Sequence, residues 1–203
     1  DPTVTIVLDE PTASLPHSEV ELLLDNLRRC RERGQTIVYV SHRLQEVFRL
    51  ADQISILRDG RLVSNEPSTA LDERADVSPM AGDGLSLELA AARRERPAPG
   101  REVLAVEGLC SGPLVDFDLR LFAGEIVGIA GLTGSGRSSL LRSLFGHARR
   151  SAGKIRIDAR QVDISHPADA MRHAIAFVPE ARKRDANPVK VVRFLRAATK
   201  SLE

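Results

Sequence analysis

An unbroken run of apolar and β-branched residues, Val4 to Leu8, lies near the start of the chain and is followed at once by two acids, Asp9 and Glu10. A run of this kind predicts a strand that is buried on both faces of a sheet. Two further runs share the pattern: residues 35–42 end in Ser-His, and residues 126–130 lead directly into glycines. The carboxyl ends of such strands are the positions at which open α/β sheets bind ligands.

Between these runs, apolar positions repeat with the period of a helix. Positions at i, i+3, i+4 and i+7 predict a helix with one buried face, made of Val20, Leu23, Leu24 and Leu27. Ser18 is expected to cap the start of this helix, and Gly34 is expected to end it. RLQEVFRLA predicts a second, short helix, and QISILRDGRLVS predicts a hairpin that turns at Asp59-Gly60.

Alternating strands and helices indicate an α/β fold with a mainly parallel sheet and flanking helices. EVLAVEGL and LVDFDLRLFAGE add an antiparallel β portion. Residues 66–100 have the composition of a linker that holds one amphipathic stretch, LSLELAAARRER. The sequence therefore predicts two ordered segments, 1–65 and 101–203, on either side of this linker.

Composition excludes several classes of protein. The chain has 29 basic and 28 acidic residues, so its bulk charge is not that of a nucleic-acid binder. Only the stretch from Ala181 to the end is strongly basic, which is typical of a solvated or partner-facing segment. Cys30 and Cys110 lie in no metal-ligand or redox spacing, and this indicates a reducing compartment. No apolar run approaches the ~18 residues of a membrane span.

The segment GLTGSGRSS fits the phosphate-loop pattern G-x-x-x-x-G-K-[ST], with arginine at the lysine position. Glycines let successive backbone N–H groups face an anion, and the following helix directs its positive dipole end to the same place. A glycine-rich turn without a ligand is the alternative. The residues predicted to bind nucleotide are Gly131, Gly134, Ser135, Gly136, Arg137, Ser138 and Ser139, with Ser138 also a ligand of Mg²⁺.

VLDEPTASL, VYVSHRL and ILRDGRLV, in this order, resemble the second half of an ATP-binding-cassette (ABC) ATPase domain. The resemblance implies that Asp9 is the Walker B ligand of Mg²⁺ and that Glu10 is the general base for the attacking water. It also implies that His42 is the switch histidine that contacts the γ-phosphate. Pro16 departs from the family pattern, because the D-loop often carries aspartate there.

The second segment resembles the start of a further cassette, and more narrowly the second cassette of tandem sugar-import ATPases of the ribose, galactose and xylose type. An arginine in the phosphate loop and Pro-Glu at the Q-loop are usual in that group, so Arg137 and Glu180 fit. In this interpretation, 1–65 is the C-terminal part of a first cassette, 66–100 is a linker, and 101–203 is the N-terminal part of a second. The chain is then a piece of a longer protein.

The resemblance implies a function: the ATP-binding subunit of a carbohydrate importer, with ATP and Mg²⁺ as cofactors. Its partners would be transmembrane permease subunits, and it would lie on the cytoplasmic face of the membrane. It would bind neither sugar nor nucleic acid. Two alternatives stay open, a tandem ABC protein that acts on ribosomes or DNA, and an inert nucleotide-binding remnant.

The two segments leave a structural question open. They could close into one permuted α/β core with Asp9, Glu10 and His42 beside the phosphate loop, or lie side by side as two half-domains with exposed sheet edges. A shared Mg²⁺ site requires the Ser138 hydroxyl and the Asp9 carboxylate within roughly 4–6 Å. Little or no hydrolysis is expected of the isolated chain, because the signature sequence of the family is not found in it.

Overall fold

The structure is a computed structural model that describes residues 4–13, 15–71, 100–132 and 134–180 of the 203-residue chain. Its strands are β1 (Thr5–Asp9), β2 (Thr36–Val40), β3 (Gln53–Arg58), β4 (Arg61–Pro67), β5 (Glu102–Ser111), β6 (Leu114–Phe122), β7 (Ile126–Gly131), β8 (Ala152–Ile157), β9 (Arg160–Val162) and β10 (Ile175–Val178). Its helices are α1 (His17–Glu32), α2 (Leu44–Leu50), α3 (Ser68–Leu71), α4 (Arg137–Leu144) and α5 (Pro167–Arg172).

One six-stranded sheet unites the two segments, with the order β10-β1-β2-β7-β3-β4. Two strands of the second segment, β7 and β10, pair in parallel with strands of the first. This is the single-core arrangement, and the half-domains are not side by side. The assignment of 1–65 and 101–203 to successive cassettes of a longer protein stays a prediction.

The register of this sheet aligns the strand ends. Asp9 at the end of β1 lies opposite Val40 at the end of β2, and Val40 lies opposite Ile129 in β7. Because the three strands are parallel, the loops that follow them leave the sheet at the same edge. Residues far apart in the sequence are therefore brought together at one rim.

Both faces of the sheet are covered, as the apolar runs predict. On one face, Ile6, Leu8 and Ile37 of the sheet pack against α1 and α2. On the other face, Val7 and Val38 pack towards the second sheet and α4. That second sheet has the order β6-β5-β8-β9 and is antiparallel. α2 approaches the first sheet closely, since a Cβ added at Gly128 would lie 2.9 Å from the Cβ of Ala51.

Most of the predicted elements are confirmed. The buried side chains of α1 are Val20, Leu23, Leu24, Leu27 and Cys30. The hairpin at Asp59-Gly60 is present as β3 and β4. The predicted cap is wrong: α1 begins at His17 with Pro16 at its N-cap, because the chain leaves the extended conformation at Pro16 and Ser18 already lies in the first turn.

The linker and the basic tail fall largely outside the described residues. Of the predicted linker, residues 66–71 form the end of β4 and the short α3, while the amphipathic stretch LSLELAAARRER lies among residues that the structure does not describe. The basic tail after Ala181 lies outside them too. Within the described ranges, no helix is long and apolar enough to cross a membrane.

Candidate functional site

The rim at the ends of β1, β2 and β7 gathers the predicted site residues. We call six of these side chains the phosphate rim: Asp9, Glu10, His42, Ser135, Arg137 and Ser138. Asp9 ends β1, Glu10 follows it, and His42 lies in the loop after β2. Ser135 lies in the loop between β7 and α4, while Arg137 and Ser138 lie in the first turn of α4. The two segments thus contribute to one site.

Asp9 and Ser138 are in direct contact. The Ser138 hydroxyl donates a hydrogen bond of 3.0 Å to Asp9 Oδ1, well inside the separation that a shared Mg²⁺ site requires. The second carboxylate oxygen, Oδ2, is buried without a hydrogen-bond partner. Burial raises the pKa of the Asp9 carboxyl; the Ser138 hydrogen bond opposes this rise, and the like charge of Glu180 adds to it. A cation at Asp9 would offset the cost of burying its negative charge and would give Oδ2 a partner.

The phosphate loop has the backbone that its glycines predict. Gly134 and Gly136 adopt left-handed φ values of 86° and 100°, and Gly136 is the N-cap of α4. A Cβ added at Gly134 would meet nothing within 4 Å, so the loop opens to space there. The Ser135 hydroxyl is buried with no hydrogen-bond partner. Ser139 lies in the first turn of α4, where its carbonyl accepts a hydrogen bond of 2.8 Å from the Ser143 hydroxyl.

Glu10 lies between two cationic or polar groups. His42 Nδ1 is in a hydrogen bond with Glu10 Oε2. Arg137 Nη1 lies 3.1 Å from Glu10 Oε1, at ion-pair distance, but it lacks the angles of a hydrogen bond. The Arg137 side chain is 8 % exposed, so the guanidinium is buried at the rim and does not extend into solvent. The structure therefore brings all three predicted side chains together.

These residues fit a magnesium ion with phosphate. The rim offers one carboxylate with an unused oxygen, one hydroxyl beside it and an anion-binding loop at a helix N-terminus. Among the described residues, no group of three or more His, Cys, Asp or Glu side chains could hold a metal ion by itself. Magnesium is often bound by one or two carboxylates together with substrate phosphates, and this donor set is of that kind.

Sequence reasoning missed one buried polar group beside the rim. Glu46 Oε2 accepts hydrogen bonds of 2.6 Å from the Thr12 hydroxyl and 2.7 Å from the Tyr39 hydroxyl. The sequence predicted a short helix around Glu46, and nothing local marked this residue, because its partners are 34 and 7 residues away. Only the pairing of β1 with β2 brings them together.

Comparison with known families and proteins gives a consistent result. Residues 114–194 match the family described as "ABC transporter". The ribose import ATP-binding protein RbsA of Chromobacterium violaceum is 40% identical over 181 residues, covering 88% of this chain and 35% of that protein. Ribose import ATP-binding protein RbsA 2 of Rubrobacter xylanophilus is 42% identical over 179 residues, covering 88% of this chain and 34% of that protein.

The chain spans about a third of the length of these relatives. Among solved structures, UvrA2 from Deinococcus radiodurans aligns with a TM-score of 0.32 at 25% sequence identity, covering 76% of this chain and 20% of that one. A likeness this low carries no argument. The fold is that of an ABC-type P-loop ATPase, and the relatives are named as import ATP-binding proteins.

Proposed function

We propose that this chain, whose residues 114–194 match the ABC transporter family, binds ATP with Mg²⁺ at the phosphate rim. The observation that carries the proposal is the 3.0 Å contact between the Ser138 hydroxyl and Asp9, which joins the phosphate loop of one segment to the acids of the other. A nucleotide site needs both parts, because the loop holds phosphate and the carboxylate holds the metal.

Each rim residue has a role in this proposal. Backbone N–H groups from Gly131 to Ser139 would hold the phosphates, and Asp9 and Ser138 would hold Mg²⁺. The metal would supply neutralisation of phosphate charge. Arg137 would add a cation, and His42 would contact the terminal phosphate. Glu10 is the carboxylate placed to accept a proton from water.

We expect the isolated chain to hydrolyse ATP slowly or not at all. Glu10 is the proposed base, and both of its oxygens are engaged, one by His42 and one by Arg137. An attacking water would have to compete with these two partners for the carboxylate oxygens. Phosphate release would therefore be slow even where nucleotide binding is measurable, which keeps the nucleotide-binding remnant as a second candidate function.

The wider role proposed for the parent protein is that of the ATP-binding subunit of a carbohydrate importer. The names of the relatives support it, as does the share of this chain that aligns with them. The partners would be transmembrane permease subunits, the location the cytoplasmic face of the membrane, and the sugar would bind elsewhere. Co-purification with the permease subunits of a ribose importer, and not with ribosomes or DNA, is the expected outcome.

Titration of the full chain with a fluorescent ATP analogue tests the site. We expect saturable binding that Mg²⁺ strengthens in the wild type, and a loss of that strengthening in Ser138→Ala. Ser64→Ala is the matched control, since Ser64 is a serine on β4 with no part in the rim. Binding that is absent, or that Ser138→Ala leaves unchanged with and without Mg²⁺, would overturn the proposal.

A further inference from the structure

A buried polar cluster lies directly behind the phosphate rim. We call it the Glu46 cluster; its buried members are Thr12, Tyr39 and Glu46, and Arg43, whose side chain is 43% exposed, joins it from the surface. The Glu46 carboxylate accepts hydrogen bonds of 2.6 Å from Thr12 Oγ1, 2.7 Å from Tyr39 OH and 3.2 Å from Arg43 Nη1. Tyr39 is fully buried, Thr12 is 1% exposed and Glu46 is 7% exposed.

The cluster joins the two loops that carry Glu10 and His42. Thr12 follows Glu10 by two residues in the loop after β1, and Arg43 follows His42 in the loop after β2. Glu46 contacts both loops at once. The Glu10 N–H also ties this loop to β2, because it donates a hydrogen bond of 2.9 Å to the carbonyl of Val40.

The backbone of Glu10 requires such support. Glu10 has φ of 48°, in the left-handed region that non-glycine residues seldom adopt. A residue in this region keeps its conformation only where the surroundings enforce it. Its carbonyl accepts a hydrogen bond of 3.2 Å from Ala13, so the turn that sets its direction includes Thr12. Anchoring Thr12 to Glu46 therefore fixes the direction of the Glu10 side chain.

From these contacts, we propose that Glu46 is a positioning residue that holds the loops after β1 and β2 so that Glu10 and His42 face each other across the rim. The inference rests on the proposed function for its role in nucleotide recognition, since His42 is the group placed to contact the terminal phosphate. The pairing of Glu10 with His42, which Glu46 is proposed to maintain, can be tested without nucleotide.

The competing explanation is that the cluster only stabilises the fold. Buried hydrogen-bonded networks often do so, and burial raises the pKa of Tyr39 far above its ordinary value, which keeps Tyr39 a neutral donor. The two explanations separate when the network is replaced by apolar groups of similar shape. Such a replacement can be nearly neutral for stability, but it removes the hydrogen bonds through which Glu46 joins the two loops.

The test uses the triple variant Thr12→Val/Tyr39→Phe/Glu46→Leu of the full chain, beside Glu46→Gln and the matched control Glu21→Gln. Glu21 pairs with Arg49 at 2.7 and 2.8 Å and so ties α1 to α2 through an ion pair separate from the Glu46 cluster. One readout is the ratio of ATP to ADP affinity from titration with fluorescent nucleotides. The other is the imidazole NMR signal of His42 without nucleotide, assigned by its loss in His42→Gln.

The triple variant is expected to fold and to lose about fivefold or more of the preference for ATP over ADP. It should also shift the His42 signal towards that of a histidine without a carboxylate partner. Glu46→Gln should keep most of both, because one carbonyl oxygen can still accept from Thr12 and Tyr39. Glu21→Gln should change neither.

A triple variant that folds and keeps both the nucleotide preference and the His42 signal would overturn the inference. If the wild type binds no nucleotide, the proposed function fails and the His42 signal still decides the positioning role. If the triple variant does not fold, the same two readouts on Thr12→Val decide it, with an unchanged His42 signal counting against the inference.

Discussion

The phosphate rim and the Glu46 cluster are both polar and buried, but they differ in how completely their atoms are bonded. At the rim, Asp9 Oδ2, Ser135 Oγ and Arg137 Nη1 are buried with no hydrogen-bond partner. In the Glu46 cluster, both carboxylate oxygens of Glu46 accept hydrogen bonds. A buried polar group without a hydrogen-bond partner costs free energy. Several such groups in one place therefore indicate that a bound ligand supplies their partners.

This difference separates a site from a support. The rim is expected to lower the stability of the ligand-free chain, because its polar atoms without hydrogen-bond partners find those partners only when a ligand binds. The Glu46 cluster is expected to contribute stability by itself. Substitutions in the two regions should therefore affect different measurements, and the four predictions that follow run from the largest expected effect to the smallest.

Glu46→Ala should have the largest effect on stability. It leaves the hydroxyls of Thr12 and Tyr39 buried without an acceptor, and an unsatisfied buried donor costs about 1–3 kcal/mol, so a loss of about 2–4 kcal/mol in the free energy of unfolding is expected. Urea denaturation measures it. Tyr39→Phe, which removes one donor and leaves no orphan, is the control and should cost only about 1 kcal/mol. Equal costs for the two would show that the network is not what stabilises this region.

Arg137→Ala should mainly weaken nucleotide binding. Charge-assisted hydrogen bonds contribute about 1–3 kcal/mol, so the affinity should fall by about tenfold, while Arg137→Lys keeps the charge and should be tolerated or bind more tightly. The free energy of unfolding should change by only about 1 kcal/mol, since Glu10 keeps His42 as a partner. Titration with a fluorescent nucleotide checks the first expectation and urea denaturation the second.

The opposite result for Arg137 would weaken the distinction between the phosphate rim as a binding site and the Glu46 cluster as a structural support. If Arg137→Ala bound nucleotide as well as the wild type and lost as much stability as Glu46→Ala, Arg137 would be a structural residue. The phosphates would then bind elsewhere, and the arginine in the loop would be a support like Glu46.

Much of the fold could be predicted because its signals are local. The apolar runs of β1 and β7 predict burial on both faces, and the spacing in α1 predicts its buried side chains, including Leu23 and Leu27. The hairpin between β3 and β4 follows from Asp59-Gly60. Each of these depends on neighbours in the sequence, where the period of the pattern is sufficient.

What the sequence left open is set by long-range register. The same apolar edges fit one closed core or two half-domains, and the choice depends on the insertion of β7 between β2 and β3 and on the pairing of β10 with β1. Asp9 and Ser138 are 129 residues apart, so their contact depends on that insertion. Glu46 was missed for the same reason: its bond to Thr12 exists only once β1 and β2 are paired.

Asp9→Asn should separate the two regions in a third way. The amide should remove most of the strengthening of nucleotide binding by Mg²⁺, because a neutral oxygen is a weaker ligand for the ion. Stability should stay the same or rise by about 1 kcal/mol, since burying an amide costs less than burying a carboxylate with one unmet oxygen. Titrations with and without Mg²⁺, beside urea denaturation, measure both. A large loss of stability would instead show that Asp9, like Glu46, has a structural role.

The smallest effect is expected from Glu21→Gln, an ion pair that belongs to neither region. Arg49 and Glu21 are 38% and 37% exposed, so solvent screening limits the pair to a few tenths of a kcal/mol. The hydrogen bond from Arg49 lowers the pKa of Glu21 from 4.5, so its contribution is present above that value and is lost as the pH falls through the lowered pKa. The difference in unfolding free energy between wild type and Glu21→Gln should therefore be small at pH 7 and should shrink as the pH falls below 4.5. If the difference for Glu21→Gln matched the loss of stability in Glu46→Ala, the complete hydrogen bonding of the Glu46 cluster would not explain why that region is stable. The contrast between the two regions would then depend only on the buried rim atoms that lack hydrogen-bond partners.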